Sequence, residues 1–321
     1  MWFWIILIVV LIALLGGVVY TYGVAWVVYR DYLTRQPELK GKKYLRYECA
    51  FPDHAISMQM FKEGMQWQEQ HLDAIRQVAI ENEGLKLAGE FFDFGFDRTV
   101  IILAGRGEAC SYGYYFAQPY QDLGYNVLVV DNRSTGESDG VYNCVGMKEY
   151  RDIIAWMRFL EKETATKRIL LHGICIGSAT GLYVMTSKDC PESAMGLIAE
   201  GMYCDFQESF KNHMIEINKP VFPVLQEAMS LIFLHSGHHP KRFCPNRFIK
   251  KMDKPILMLY GRQDQYSKPD KSVILYENCP SPAKKLVWFD EGDHSHLRIM
   301  APEEYDRQIA AFLEEQFGEH A

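Results

Sequence analysis

Ile169-Leu170-Leu171-His172-Gly173-Ile174-Cys175-Ile176-Gly177-Ser178-Ala179 reads as an apolar strand running into Gly-x-Cys-x-Gly and then into a helix. Glycines on either side of a central residue permit a sharp turn that other side chains would obstruct. In a strand-turn-helix setting such a turn lifts the central side chain above the sheet, as a nucleophile requires. Here the central residue is Cys175. A cysteine between glycines can also be a plain buried thiol, since free cysteine is among the most buried residue types. What surrounds the turn decides between the two readings.

Outward from the turn, short apolar runs alternate with helical patterns, the signature of a mostly parallel sheet with helices on both faces. The patterning predicts strands over Gln77-Ile80, Lys86-Phe92, Thr99-Leu103, Asn126-Val130, Arg168-His172, Gly196-Ala199, Ile256-Tyr260 and Lys285-Phe289. Helices are expected over Met147-Glu161, Ser178-Thr186, Lys271-Glu277 and Pro302-Phe317. Residues 205–251 interrupt this rhythm with a helical, irregular stretch holding His213, His235, His238 and His239. An insertion of that size between strands is expected to cap the sheet's carboxyl edge, where ligands bind in open α/β folds. No carboxylate or cysteine spacing accompanies those histidines, so no metal site is expected there. The tyrosine-rich Ser111-Phe116 stretch is expected to pack as a helix.

With Gly124-Tyr125-Asn126-Val127-Leu128-Val129-Val130-Asp131-Asn132-Arg133-Ser134-Thr135-Gly136-Glu137-Ser138 ahead of the Gly-x-Cys-x-Gly turn, the chain resembles the α/β-hydrolases. The resemblance covers nearly everything from Arg76 to Phe317 and is closest to bacterial membrane-anchored hydrolases grouped with serine aminopeptidases and lysophospholipases, with cysteine in place of the nucleophilic serine. Hydrolases of the dienelactone type carry the same Gly-x-Cys-x-Gly motif. The resemblance implies an α/β-hydrolase fold with a helical cap, and a triad in the order nucleophile, acid, base. Asp264 ends a predicted strand in Gly261-Arg262-Gln263-Asp264 and fits the acid; Asp205 is the alternative. His294 follows another in Gly292-Asp293-His294 and fits the base; His296 is its competitor. Asp131 and Arg133 read as loop scaffold beside the site.

Those roles imply a mechanism. His294 would take the Cys175 proton or hold a thiolate-imidazolium pair, with Asp264 fixing the imidazole. The helix starting after the turn brings a positive dipole end, which favours a thiolate. The oxyanion donors would be the backbone amides of Ile176 and of Arg106, in Ala104-Gly105-Arg106-Gly107, where many relatives carry His-Gly-x-x. Arg106 could instead read a substrate carboxylate. The expected reaction is hydrolysis of an ester, thioester or other acyl bond through an acyl-enzyme, with a small acyl substrate and no cofactor. The alternative is a non-catalytic binding module on the same fold.

Met1 to Tyr29 carries no charged side chain, long enough to span about 30 Å of hydrocarbon as a helix. It lacks the basic start and small-residue exit of a cleaved signal peptide, so a transmembrane anchor is expected over residues 1–29, with a linker or stalk over 30–75 and the hydrolase domain over 76–321. Trp2, Trp4, Tyr20, Tyr22, Trp26 and Tyr29 suit the two membrane interfaces. Arg30, Arg35, Lys40, Lys42 and Lys43 follow the span and no basic residue precedes it, which places the domain in the cytoplasm by the positive-inside rule. The eight cysteines show no paired spacing, fitting reduced thiols. A net charge of -7 without a long basic stretch argues against a nucleic-acid partner.

Overall fold

A computed structural model describes residues 1–35, 45–216 and 218–318 of the chain; Lys40, Lys42 and Lys43, and with them much of the charge asymmetry after the apolar run, lie outside the described residues. The helices in chain order are α1 (Trp2–Leu33), α2 (Ala55–Gln70), a buried 3-10 helix (Cys110–Phe116), α3 (Gln118–Asp122), α4 (Glu149–Glu163), α5 (Ile176–Met185), α6 (Phe206–Glu216), α7 (Val224–Ser236), α8 (Pro245–Phe248), α9 (Pro269–Asn278), α10 (Leu297–Met300) and α11 (Pro302–Phe317). The strands are β1 (Ile75–Asn82), β2 (Leu85–Phe92), β3 (Arg98–Leu103), β4 (Asn126–Val130), β5 (Arg168–Ile174), β6 (Ala194–Glu200), β7 (Ile256–Gly261) and β8 (Lys284–Phe289). They form one sheet in the order β1-β2-β4-β3-β5-β6-β7-β8. β1 and β2 pair antiparallel, β2 joins β4 antiparallel, and every pairing from β4 to β8 is parallel.

Parallel strands covered on both faces read as continuous apolar runs, and the wholly buried β4, Asn126-Val127-Leu128-Val129-Val130, is such a run. One face of the sheet packs against α2, the 3-10 helix and α11 through Met60, Trp67, Phe116, Ile309 and Phe312. The other packs against α4, α5 and α9 through Ile153, Trp156, Leu182 and Leu275. A third cluster lies beneath the cap, where Ala25, Val28 and Tyr29 of α1 meet Leu225, Met229 and Ile232 of α7.

The segment between the apolar run and the sheet is built into this packing. α2 buries Met60 and Trp67 against the sheet face. Arg46 reaches Asp131 at 2.6 Å and Glu90 at 3.5 Å, with all three side chains out of solvent. Asp131 also accepts the amides of Cys110 at 2.8 Å and Glu137 at 2.9 Å, tying down the loop after β4. Arg133 makes a bidentate pair with Asp152 of α4, both bonds at 2.7 Å.

Elements fall where the patterning puts them, with ends extended by a residue or two. α4 begins at Glu149 rather than Met147: the Met147 amide closes a turn onto Cys144 O at 3.0 Å, and Lys148, at φ -117°, caps the helix. α5 begins at Ile176 rather than Ser178 because the helix starts immediately after Cys175.

Candidate active site

Cys175 stands between β5 and α5 at φ 53°, ψ -110°. A side chain held there costs on the order of 1–3 kcal/mol and persists only when its surroundings enforce it. Three features enforce it. The Cys175 amide donates to Glu200 O at 2.9 Å. The Ser178 hydroxyl sits 2.6 Å from Gly173 O and 2.8 Å from Glu200 O, clamping the turn to β6. The flanking glycines allow the chain to cross itself: a Cβ on Gly173 would lie 2.4 Å from Ser178 N, and one on Gly177 would lie 2.0 Å from Leu103 O.

His294 comes from the loop after β8, and its Nδ1 donates to Asp264 Oδ2 at 2.7 Å. That leaves the other ring nitrogen for the cavity, whose wall His294 shares with Cys175. Burial works against protonation of His294, but the charges of Asp264 and Cys175 outweigh it and hold the imidazole well above its usual value. Burial likewise opposes ionisation of Asp264, but His294 and the amides of Ser267 and Tyr266 hold its carboxyl below the ordinary carboxylate range. The carboxylate side chain is 1% exposed and lies behind the histidine, away from solvent.

A second chain of groups runs alongside. His296 Nδ1 bonds Asp293 Oδ1, and its Nε2 lies 3.3 Å from the Ser57 hydroxyl of α2. Ser57 Oγ is also 2.9 Å from His54 Nδ1, a nitrogen that accepts the Ser57 amide at 3.4 Å. Asp205 stands at neither histidine: it accepts the Glu208 amide at 3.2 Å in the first turn of α6.

Both chains border a cavity of about 460 Å³. Gly105 and Arg106 from the loop after β3, Ile176 at the start of α5, and Phe206 and Phe210 of the cap also line it. A Cβ on Gly105 would sit 3.8 Å from that of Cys175, so this loop lies against Cys175. The Gly105 amide donates to the buried Glu108 carboxylate at 2.9 Å. Ile176 occupies the first position of α5, where helix amides lack intrahelical acceptors. The Arg106 guanidinium lies 4.8 Å from the centre of the Tyr32 ring, at the end of α1. Arg106 lines the cavity as well.

The cap histidines are dispersed. His235 stacks on Tyr142 at 3.7 Å, His238 lies over Phe243 at 4.7 Å, and His213 meets the Tyr32 ring edge-on at 4.7 Å while lining the cavity. Residues unforeseen from the sequence complete the walls: Glu108, Tyr112, Tyr266, and His54 with Ser57. Tyr112 donates to Ser295 O at 3.1 Å, bracing the loop that carries both histidines. No spacing links these residues to the Gly-x-Cys-x-Gly turn, because α2 arrives from more than a hundred residues upstream.

No family model matches the chain. Among known proteins it is similar to YqkD of Bacillus subtilis, 26% identical over 218 residues, covering 67% of this chain and 71% of that protein. It is also similar to bem46 of Schizosaccharomyces pombe, 25% identical over 61% of this chain and 60% of that protein. A third relative, YNL320W, described as an uncharacterized membrane protein of Saccharomyces cerevisiae, is 24% identical over 63% of this chain and 66% of that protein. Among solved structures, the Pyrococcus furiosus esterase Pf2001 superimposes with a TM-score of 0.66 at 24% identity, covering 78% of this chain and 94% of the esterase. A predicted CIB-like hydrolase from Thermoplasma acidophilum gives 0.52 at 17% identity, over 75% of this chain and 99% of that one. The fold is that of the α/β-hydrolases.

Proposed function

We propose that the protein is a thiol-dependent acyl hydrolase in which Cys175, His294 and Asp264 form the triad. The observation that carries this reading is the setting of His294, which joins the buried Asp264 at 2.7 Å and shares with Cys175 the wall of a cavity large enough for a small acyl compound. His294 takes the thiol proton, or already holds it, and Asp264 stabilises the resulting imidazolium. The thiolate attacks the acyl carbon, the tetrahedral oxyanion is received by the amides of Ile176 and Arg106, and the leaving group departs with the proton from His294. Water, activated by the same imidazole, then hydrolyses the thioester and restores the thiol.

Anchoring is the second part of the proposal. α1 is 32 residues long, with mean hydropathy 2.9 over its most apolar window, and every residue from Trp2 to Tyr20 is exposed. A single membrane span accounts for both, and the membrane-protein description of YNL320W is in keeping with it; the basic residues that follow the span favour the cytoplasmic side for the domain.

One observation favours the non-catalytic alternative. Glu108 already occupies the Gly105 amide beside Cys175, setting a carboxyl group close to where an oxyanion would form. Turnover of p-nitrophenyl acetate by the full chain in detergent distinguishes the two readings. A hydrolase shows multiple turnovers that disappear in Cys175→Ala and in His294→Ala; equal rates in wild type and Cys175→Ala would defeat the proposal.

A further inference from the structure

The solvent exposure of α1 changes abruptly along its length. Every residue from Trp2 to Tyr20 is exposed, whereas Thr21 is half-buried and Ala25, Val28, Tyr29 and Leu33 are buried. The bare part is about 28 Å long at 1.5 Å per residue, close to the roughly 30 Å thickness of a hydrocarbon core. The rest of the protein therefore begins at the height where a spanning α1 would leave the hydrocarbon.

The cap helix α7 fixes what lies at that height. Thr21 Oγ1 donates to Glu227 at 2.8 Å, and eight residues further along α1 the Tyr29 ring stacks on His235, at a centroid distance of 5.4 Å. The same offset at both points means that α1 and α7 run side by side in the same direction. The start of α7 at Val224 therefore lies about 4.5 Å nearer the membrane than Glu227, and the loop 218–223 precedes it. That loop presents Phe222, 80% exposed, beside the exposed Lys219. An aromatic ring and a lysine at this level match the headgroup layer, where amphipathic and aromatic groups settle and basic residues meet anionic lipid.

The loop is also joined to the site. α6 lines the cavity with Phe206, Phe210, His213 and Glu216, spaced as one face of a helix. Phe206 and Phe210 belong to the apolar cluster against which Cys175 packs, and Glu216 is the last residue of α6 before the loop. The cavity wall and the loop at membrane height are thus nearly continuous in the chain.

We infer that the loop carrying Lys219 and Phe222 is a second membrane contact, seated in the headgroup layer beside α1, and that the cavity draws its acyl substrate from the bilayer as an amphiphile. The inference rests on the reading of α1 as a membrane span and, for its substrate half, on the hydrolase reading.

The test uses the full chain in vesicles of phosphatidylcholine with a minor fraction of phosphatidylglycerol. Single cysteines replace Val10, Phe222 or Leu234 in a background where the partly exposed Cys175 and Cys190 are serine, and each carries an environment-sensitive fluorophore. Lipid-borne nitroxides should quench Val10→Cys from deep in the bilayer and Phe222→Cys most strongly from near the headgroups. Leu234→Cys, about 15 Å beyond the start of α7 at Val224, should not respond. Quenching at position 10 without quenching at position 222 overturns the second contact alone; no quenching at position 10 overturns the span and the contact with it. In the otherwise native chain, Phe222→Asp should slow hydrolysis of a long-chain acyl ester embedded in the vesicles by on the order of tenfold, leaving soluble p-nitrophenyl acetate turnover unchanged. Equal rates on embedded ester in wild type and variant, or equal loss on both substrates, overturn delivery from the bilayer. A chain inactive on both substrates removes the hydrolase reading, and with it the substrate half, while the quenching result still decides the contact.

Discussion

Two carboxylate-histidine chains open onto the same cavity, and they differ in everything around the histidine. In one, His294 joins an Asp264 whose side chain is 1% exposed, and shares the cavity wall with Cys175 on a strained turn at a helix start. In the other, His296 joins an Asp293 whose side chain is 56% exposed to a serine within α2. The Ser57 hydroxyl is engaged by His54 Nδ1, which the Ser57 amide marks as an accepting nitrogen. Ser57 Oγ is thus shared between two imidazoles, whereas a nucleophile's proton is committed to one base. A short list of residue types therefore does not make a catalytic array. The partner of each hydrogen bond and the fixed backbone around the nucleophile do.

The comparison can be broken by kinetics, with the largest effect at the nucleophile. Cys175→Ala is expected to remove p-nitrophenyl acetate turnover, a loss on the order of 10³-fold or more, read from steady-state rates. His294→Ala should cost roughly 10² to 10⁴-fold, the usual contribution of a positioned acid-base group, and should slow iodoacetamide alkylation of Cys175 in peptide maps. His296→Ala and Ser57→Ala should each cost less than about tenfold, under 1.4 kcal/mol of barrier. Should His296→Ala prove the more damaging histidine substitution, the two chains have been assigned in the wrong order.

The smallest effect is on stability against acid. Pairing with His294 overcomes burial to keep Asp264 below the ordinary range, and the bond to His296 does the same for Asp293. A carboxyl depressed in the folded state contributes stability that is complete above its unfolded value, near 4, and is lost as pH falls through the folded value. Urea midpoints measured from pH 7 down to pH 3 should therefore decline more gently in Asp264→Asn than in wild type. Asp293→Asn should change that limb less, because solvent screens the more exposed Asp293 carboxylate. An equal change in both variants would mean that burial does not separate the two chains.

Much of the sheet was legible in the sequence because parallel strands buried on both faces leave an unbroken apolar signal. Asn126–Val130 is bounded as the patterning predicts, and the other strands differ only at their ends. The elbow was legible because its glycines answer a local demand, the crossing of chain at Gly173 and Gly177. Glu108, Tyr112, His54 and Ser57 were not, because each reaches the cavity by packing across the fold. α2 hides its part most completely, since its apolar residues signal a packed helix but not the sheet face or cavity it meets.

The sequence by itself determined the order of strands and helices, the turn at Cys175, and an apolar run of membrane length, because each is written in periodicities and glycine positions within a few neighbouring residues. The choice of partner for each histidine was decided only in three dimensions. His294 and His296 are two residues apart and of one chemical type, so nothing local distinguishes them; the packing of β7 and β8 brings a buried Asp264 to the first, and α2 brings Ser57 to the second. The meeting of α1 with the cap was likewise a tertiary matter, because the offset between Thr21 and Glu227 arises from side chains that interlock across two hundred residues of chain.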